Sequence, residues 1–106
     1  MRRGEVWWVA FDPTRGSEIR KTRPAVVLSA NGLNRARRTV LVVPLSTGPT
    51  PCPPIVVATP SAGPDSVAVC DQLRVVDKLR RTRLAGTLSA TDLRAVEAGL
   101  RAVLDL

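Results

Sequence analysis

The sequence contains no histidine. That absence removes two-histidine ribonuclease chemistry, Ser-His-Asp hydrolysis and every other mechanism in which an imidazole carries the proton. Any proton transfer must run through Arg, Lys, Glu, Asp or hydroxyl groups. The only aromatic residues are Trp7, Trp8 and Phe11, so the stacking platform of an RRM-type RNA reader is missing. Recognition of a nucleic acid is therefore expected to rest mainly on polar groups and backbone. Cys52 and Cys70, the two cysteines, are too few and too far apart for a zinc site; with no secretory signal they are expected to be buried free thiols rather than a disulfide. No apolar run approaches the length of about 18 residues that a membrane helix requires. The basic start Met1-Arg2-Arg3-Gly4-Glu5 leads into a strand-like run rather than a cleavage site. A cytoplasmic protein with no membrane association is the expectation.

A chain of 106 residues fits one domain, taken as residues 1–106, with room for one real core. Sixteen Lys and Arg against nine Asp and Glu give a net charge of +7, a surplus that attracts phosphate polymers or acidic protein segments. Its distribution is uneven: residues 1–48 hold nine basic and three acidic residues, residues 49–106 seven and six. A polyanion site would draw on the first half. Charge alone leaves a solvated basic surface equally open.

Short strands dominate the pattern. Glu5–Phe11 is rich in β-branched and aromatic residues and ends at the turn signature Asp12-Pro13-Thr14. Pro24–Ala30 begins with proline at a permitted position and runs apolar, as a strand covered on both faces does. Asn31-Gly32-Leu33-Asn34 stops it, leaving Arg35, Arg37 and Arg38 in a surface loop. Thr39–Ser46 is the strongest strand, with Pro44 marking a bulge or an edge. After a loop with four prolines between Gly48 and Pro54 come Ile55–Ala58, Ser66–Cys70 and Gln72–Val76. Gly86 and Thr87 are candidates for a short final piece. Ser89-Ala90-Thr91-Asp92 matches a capping box, and Leu93, Val96, Leu100, Val103 and Leu104 follow at helical spacing, with Glu97 and Arg101 paired on the other face. Five or six strands and one C-terminal helix describe a mainly β fold, a small β-barrel closed by a helix.

The segment between the first two strands crowds Glu18, Arg20, Lys21 and Arg23 together. Arg23 precedes Pro24, so its backbone is restricted and its guanidinium can be aimed at one place, which suits a phosphate. Ser46 or Thr47, at the end of the strongest strand, could hydrogen-bond the same phosphate. Cleavage of RNA by its own 2′-hydroxyl needs such groups to hold in-line geometry and stabilise charge. Read alone, the same residues also fit an ordinary solvated loop with Arg23 paired to an acid. Trp7 and Trp8 should face opposite sides of a regular strand, one of them in the core.

Four blocks in order, Arg3-Gly4-Glu5-Val6-Trp7, Gly16-Ser17-Glu18 with Arg23-Pro24-Ala25-Val26-Val27, Val43-Pro44-Leu45-Ser46, and Asp71-Gln72-Leu73-Arg74-Val75-Val76-Asp77-Lys78, resemble the MazF/PemK family of toxin endoribonucleases. The resemblance spans residues 3 to about 104. It implies an SH3-like barrel with a C-terminal helix, a symmetric homodimer, metal- and cofactor-independent cleavage of single-stranded RNA at a short sequence, and neutralisation by a cognate MazE-like antitoxin, expected to bind through an acidic segment. Arg23 matches the family's catalytic arginine and Glu18 an acid some members are thought to use. Ser46 falls where the family usually has a catalytic threonine; losing the methyl loosens its rotamer, so Ser46 or Thr47 carries the hydroxyl. Gln72 matches a glutamine beside the RNA groove, or else satisfies backbone groups. Arg15, Arg20, Lys21 and Arg74 are candidate RNA contacts, while Asp71, Asp77 and Lys78 are assigned to structure. A family similar in fold poisons DNA gyrase without cutting RNA, and that non-enzymatic function is the alternative.

Overall fold

The computed structural model describes residues 1–11 and 22–106. Strand β1 (Glu5–Ala10) pairs with β2 (Thr22–Val27), and β2 with β3 (Thr39–Ser46), all antiparallel. Along its other edge β3 pairs first with β6 (Arg74–Asp77) and then with β5 (Val67–Val69), which carries β4 (Val56–Ala58). Strand β7 (Arg81–Thr87) pairs back onto β1. The sheet of seven strands thus runs from β4 to β7. It is barrel-like but not closed by strand pairing: β7 comes instead against the 3₁₀ turn Pro60–Ala62 that follows β4. No described helix is long and apolar enough to cross a membrane.

The unbroken apolar run of β2 is explained by burial on both faces. Val26 joins Val6, Val43, Leu45, Ala68 and Cys70 in one cluster, and Ala25 and Val27 join Val9, Phe11, Val40, Val42 and Val76 in another. Pro44 sits where β3 changes partner: β6 reaches only to Val42 and β5 begins at Leu45. The missing N–H therefore falls at a locally unpaired edge inside an otherwise interior strand.

Helix α2 (Ala90–Leu104) covers the first cluster, with Val96 and Gly99 buried and Leu93, Leu100 and Val103 partly so. Ser89 caps it, its Oγ accepting from the Asp92 N–H at 3.1 Å. Leu104 is largely exposed. Glu97 is bound not to Arg101 but to Arg3, at 2.6 Å, the sole ion pair among the described residues; Arg3 Nε also donates to the Leu28 carbonyl at 2.9 Å. Gly4 fastens the same corner, its N–H donating to Val27 and its carbonyl accepting from Leu88, with φ at +90°. A side chain is strained in that conformation.

Several element readings need correction. Residues after Ala30 form a short helix, α1 (Asn31–Ala36), not a loop. Its anchor is Asn34, buried, whose Nδ2 donates to the Ser29 carbonyl at 2.9 Å; Arg35, Arg37 and Arg38 are exposed. The last strand runs over seven residues rather than two, and Gln72 belongs to the 3₁₀ turn Cys70–Gln72 rather than to β6. Cys52 is exposed, and only Cys70 is buried. Neither tryptophan is fully buried. Register shifts between β1 and β7 on both sides of the pair leave Trp7 and Trp8 half-buried.

Candidate functional site

A cleft of about 430 Å³ opens at the seam where the two ends of the sheet approach one another. Strands β1 and β7 and the turn Pro60–Ala62 supply its walls, together with Arg23 and Pro24 from β2 and Leu45, Ser46 and Thr47 from the end of β3. Arg23 and the two hydroxyls, far apart in sequence, therefore border one space.

The local chain fixes each. Arg23 is the second residue of β2, opposite Val9, and Pro24 follows opposite Trp8; the proline ring and the ladder together hold the arginine's backbone. Its side chain is exposed, and no described carboxylate lies within ion-pair distance. Ser46 ends β3, half-buried, and its Oγ accepts from the Gly48 N–H at 3.3 Å. That bond supplies part of the restraint a β-branched methyl would give, and leaves the hydroxyl proton free to donate. Thr47 is exposed and also borders a neighbouring depression of about 270 Å³ lined by Pro49, Pro51 and Asp65.

The far wall is held by helix α2. Asp92, buried at the first turn of the helix, accepts from the Ser61 N–H at 2.8 Å and from the Ser61 hydroxyl, while Ser61 Oγ accepts from the Ser89 N–H at 3.0 Å. A carboxylate at a helix N-terminus is stabilised by the partial positive charge there. Behind it, buried Thr59 donates to Ser66 Oγ at 2.9 Å. The wall that faces Arg23 is thereby tied to the core.

Other expected residues lie elsewhere. Gln72 is exposed and does not line the cleft. Arg74 is exposed with its guanidinium 5.0 Å from the Phe11 ring centroid, also off the cleft. Asp77 and Lys78 act as expected of structural residues: Asp77 Oδ1 accepts from the Leu79 N–H at 2.8 Å, capping the turn Lys78–Arg80, and Lys78 donates to the Asn34 carbonyl. Glu18, Arg15, Arg20 and Lys21 lie outside the described residues. Sequence reasoning missed Trp8, Ser61, Ser66 and Thr87 as cleft residues. Ser66 carried only the signal of a strand end, and no one-dimensional pattern sets it or Ser61 in the same cleft as Arg23. No group of three His, Cys, Asp or Glu among the described residues is placed to hold a metal ion.

The small, open β fold thus brings an arginine and two hydroxyls to one cleft, in a chain that has no histidine. A family model for PemK-like, MazF-like toxins of type II toxin-antitoxin systems matches residues 2–104, and the chain belongs to that family. Among similar proteins, endoribonuclease MazF9 of Mycobacterium tuberculosis is 36% identical over 115 residues, covering 100% of this chain and 98% of that protein. Endoribonuclease toxin MazF of Escherichia coli is 34% identical over 102 residues, covering 95% and 91%. The crystal structure of a MazE-MazF complex from Deinococcus radiodurans superposes with a TM-score of 0.86 at 27% identity, over 100% of this chain and 96% of that one.

Proposed function

We propose that this chain, as a single toxin domain, is a sequence-specific endoribonuclease that cuts single-stranded RNA without metal or cofactor. The observation that carries the reading is the meeting of Arg23, Ser46 and Thr47 at one cleft. A phosphodiester lies between them, its non-bridging oxygens taking hydrogen bonds from the Arg23 guanidinium and the Ser46 hydroxyl. The 2′-oxygen attacks phosphorus in line and loses its proton to a base, for which Glu18 is the candidate. The bond to the 5′-oxygen breaks, leaving a 2′,3′-cyclic phosphate and a 5′-hydroxyl. The Arg23 guanidinium, a fixed cation with several N–H donors, stabilises the charge on the phosphorane, and the leaving oxygen takes its proton from water in the open cleft. Ser46 is favoured over Thr47 because its Oγ is held by Gly48.

Arg15, Arg20, Lys21, Gln72 and Arg74 are proposed to extend the RNA contact beyond the cleft. The surplus of positive charge fits a polyanion, and equally an acidic segment of a MazE-like antitoxin that blocks the same surface. The exposed neighbours Leu41 and Val75, paired across β3 and β6, offer apolar area for a second copy of the chain, in keeping with a homodimer working in the cytoplasm. Relatives named endoribonucleases favour this reading over gyrase inhibition. The test is incubation of the purified protein with a long single-stranded RNA in EDTA, with sequencing of the new 5′-ends. Ends clustered at one short sequence are the expected result; intact RNA overturns the proposal.

A further inference from the structure

Trp8 is the one aromatic side chain that lines the cleft, and the chemistry proposed above gives it no work. Three strands set it in a row: Pro24 lies opposite it on β2 and Arg83 opposite it on β7. The Arg83 guanidinium lies over the indole, 5.2 Å from the ring centroid. Trp8 lines the cleft and Arg83 does not, so the guanidinium over the ring is not itself one of the cleft's lining groups. Trp7 makes a useful contrast. It too carries a guanidinium, that of Arg81 at 5.5 Å, but it packs against the second apolar cluster and is absent from the cleft. Both tryptophans are half-buried, but one packs on the fold, whereas its neighbour lines a cleft of mixed apolar and polar walls that Arg23 also lines.

A cation over one part of an indole fixes the ring by attraction to its π-cloud. The remaining surface is apolar, planar and bordered by groups suited to phosphate. Bases in single strands are free to splay out and stack on such a surface, and bases in a duplex are not. We infer that Trp8 is the surface on which one unpaired base of the RNA stacks, next to the phosphate held at Arg23, with Arg83 as the positioning residue that holds the indole. The inference rests on the ribonuclease reading and deepens it: recognition then includes one stacked base in addition to polar contacts.

The Trp7→Phe variant leaves Trp8 as the only indole. It is titrated with a short mixed-sequence 2′-O-methyl single strand, which cannot be cut by 2′-hydroxyl attack, while binding is followed separately by anisotropy of an end-labelled copy. Stacking predicts that Trp8 emission is quenched by more than about half at saturation, that Trp8→Leu weakens binding about tenfold, and that Trp8→Phe retains most of it. Arg83→Gln should weaken binding by a smaller factor, and the corresponding duplex should leave Trp8 emission unchanged. Binding by anisotropy with unaltered Trp8 emission overturns the stacking surface and leaves the ribonuclease reading standing. No binding of the single strand overturns both. Because the emission measurement uses a variant whose cleft is intact, it stands even where Trp8→Leu fails to fold.

Discussion

Beneath helix α2, a Cβ added to Gly99 would lie 2.5 Å from the Pro54 carbonyl oxygen and 2.6 Å from Cys70 Sγ. At the seam between β7 and the turn Pro60–Ala62, by contrast, a cleft of about 430 Å³ stays open among Arg23, Ser46, Thr47 and Trp8. The first region is decided by volume, since helix and sheet meet there with no room for a methyl group. The second is decided by hydrogen bonding, since its wall residues Ser61 and Ser66 are held from behind by Asp92 and Thr59 and the space between the walls stays open. Changes under the helix should therefore cost stability and leave the chemistry of each folded molecule alone; changes at the seam should do the reverse.

The largest expected effect is at the seam. Arg23→Ala should slow RNA cleavage by about a hundredfold to a thousandfold, the usual cost of removing one donor to a developing charge, with the melting temperature almost unmoved. A fall in both together would erase the contrast between the regions. Gly99→Ala should lower stability by about 2–3 kcal/mol, because the groups it strikes include a backbone oxygen that cannot swing aside; cleavage per folded molecule, measured well below the transition, should be unchanged. Ser46→Ala should slow cleavage about tenfold through loss of one hydrogen bond to a charged group. If Thr47→Ala has that effect and Ser46→Ala does not, the hydroxyl role passes one residue along. Glu97→Gln removes the partner of Arg3 at a site two-thirds buried on each side and should cost about 1 kcal/mol or less, read as a small shift in urea midpoint.

The thiols sharpen the comparison without disturbing either region. Burial, and secondarily the charge of Asp71, pushes the Cys70 thiol up to about 11, so at neutral pH it should resist a thiol reagent until the protein unfolds. Exposed Cys52 should react at once. Between the ordinary thiol pKa near 9.0 and about 11, Cys70 holds its proton only in the folded state, so its contribution to stability is present below pH 9.0 and falls as pH rises through that window.

The sequence made the buried elements legible and the exposed ones not. Strand β3 was readable to the residue, Thr39–Ser46, because burial of most of its positions demands a long apolar run, with the β-branched Thr39, Val40, Val42 and Val43 favouring a strand. Helix α2 was readable from its Ser89 cap and apolar spacing. Strand β7 was not, since six of its seven residues, Arg81 to Thr87, are exposed and nothing in its side chains reports a partner; its place depends on backbone bonds to β1. Helix α1 depends on one buried amide, Asn34, whose partners no local pattern reveals. The same division holds at the site. Arg23 and Ser46 stood out through Pro24 and the end of a strong strand, whereas Ser61 and Ser66 reach the cleft by folding of distant turns. The Glu97 pairing failed for a like reason: a helical neighbour at Arg101 is visible in one dimension, and Arg3 across the corner is not.

The central claim is that the cleft acts through the RNA's own 2′-hydroxyl, with Arg23 stabilising the charge that its attack creates. One RNA carrying the recognised sequence, compared with the same strand bearing a single 2′-deoxy substitution at the nucleotide 5′ to the cut, tests it most directly in EDTA. The account predicts cleavage of the first and an intact second strand. Cleavage of both at the same bond would contradict it.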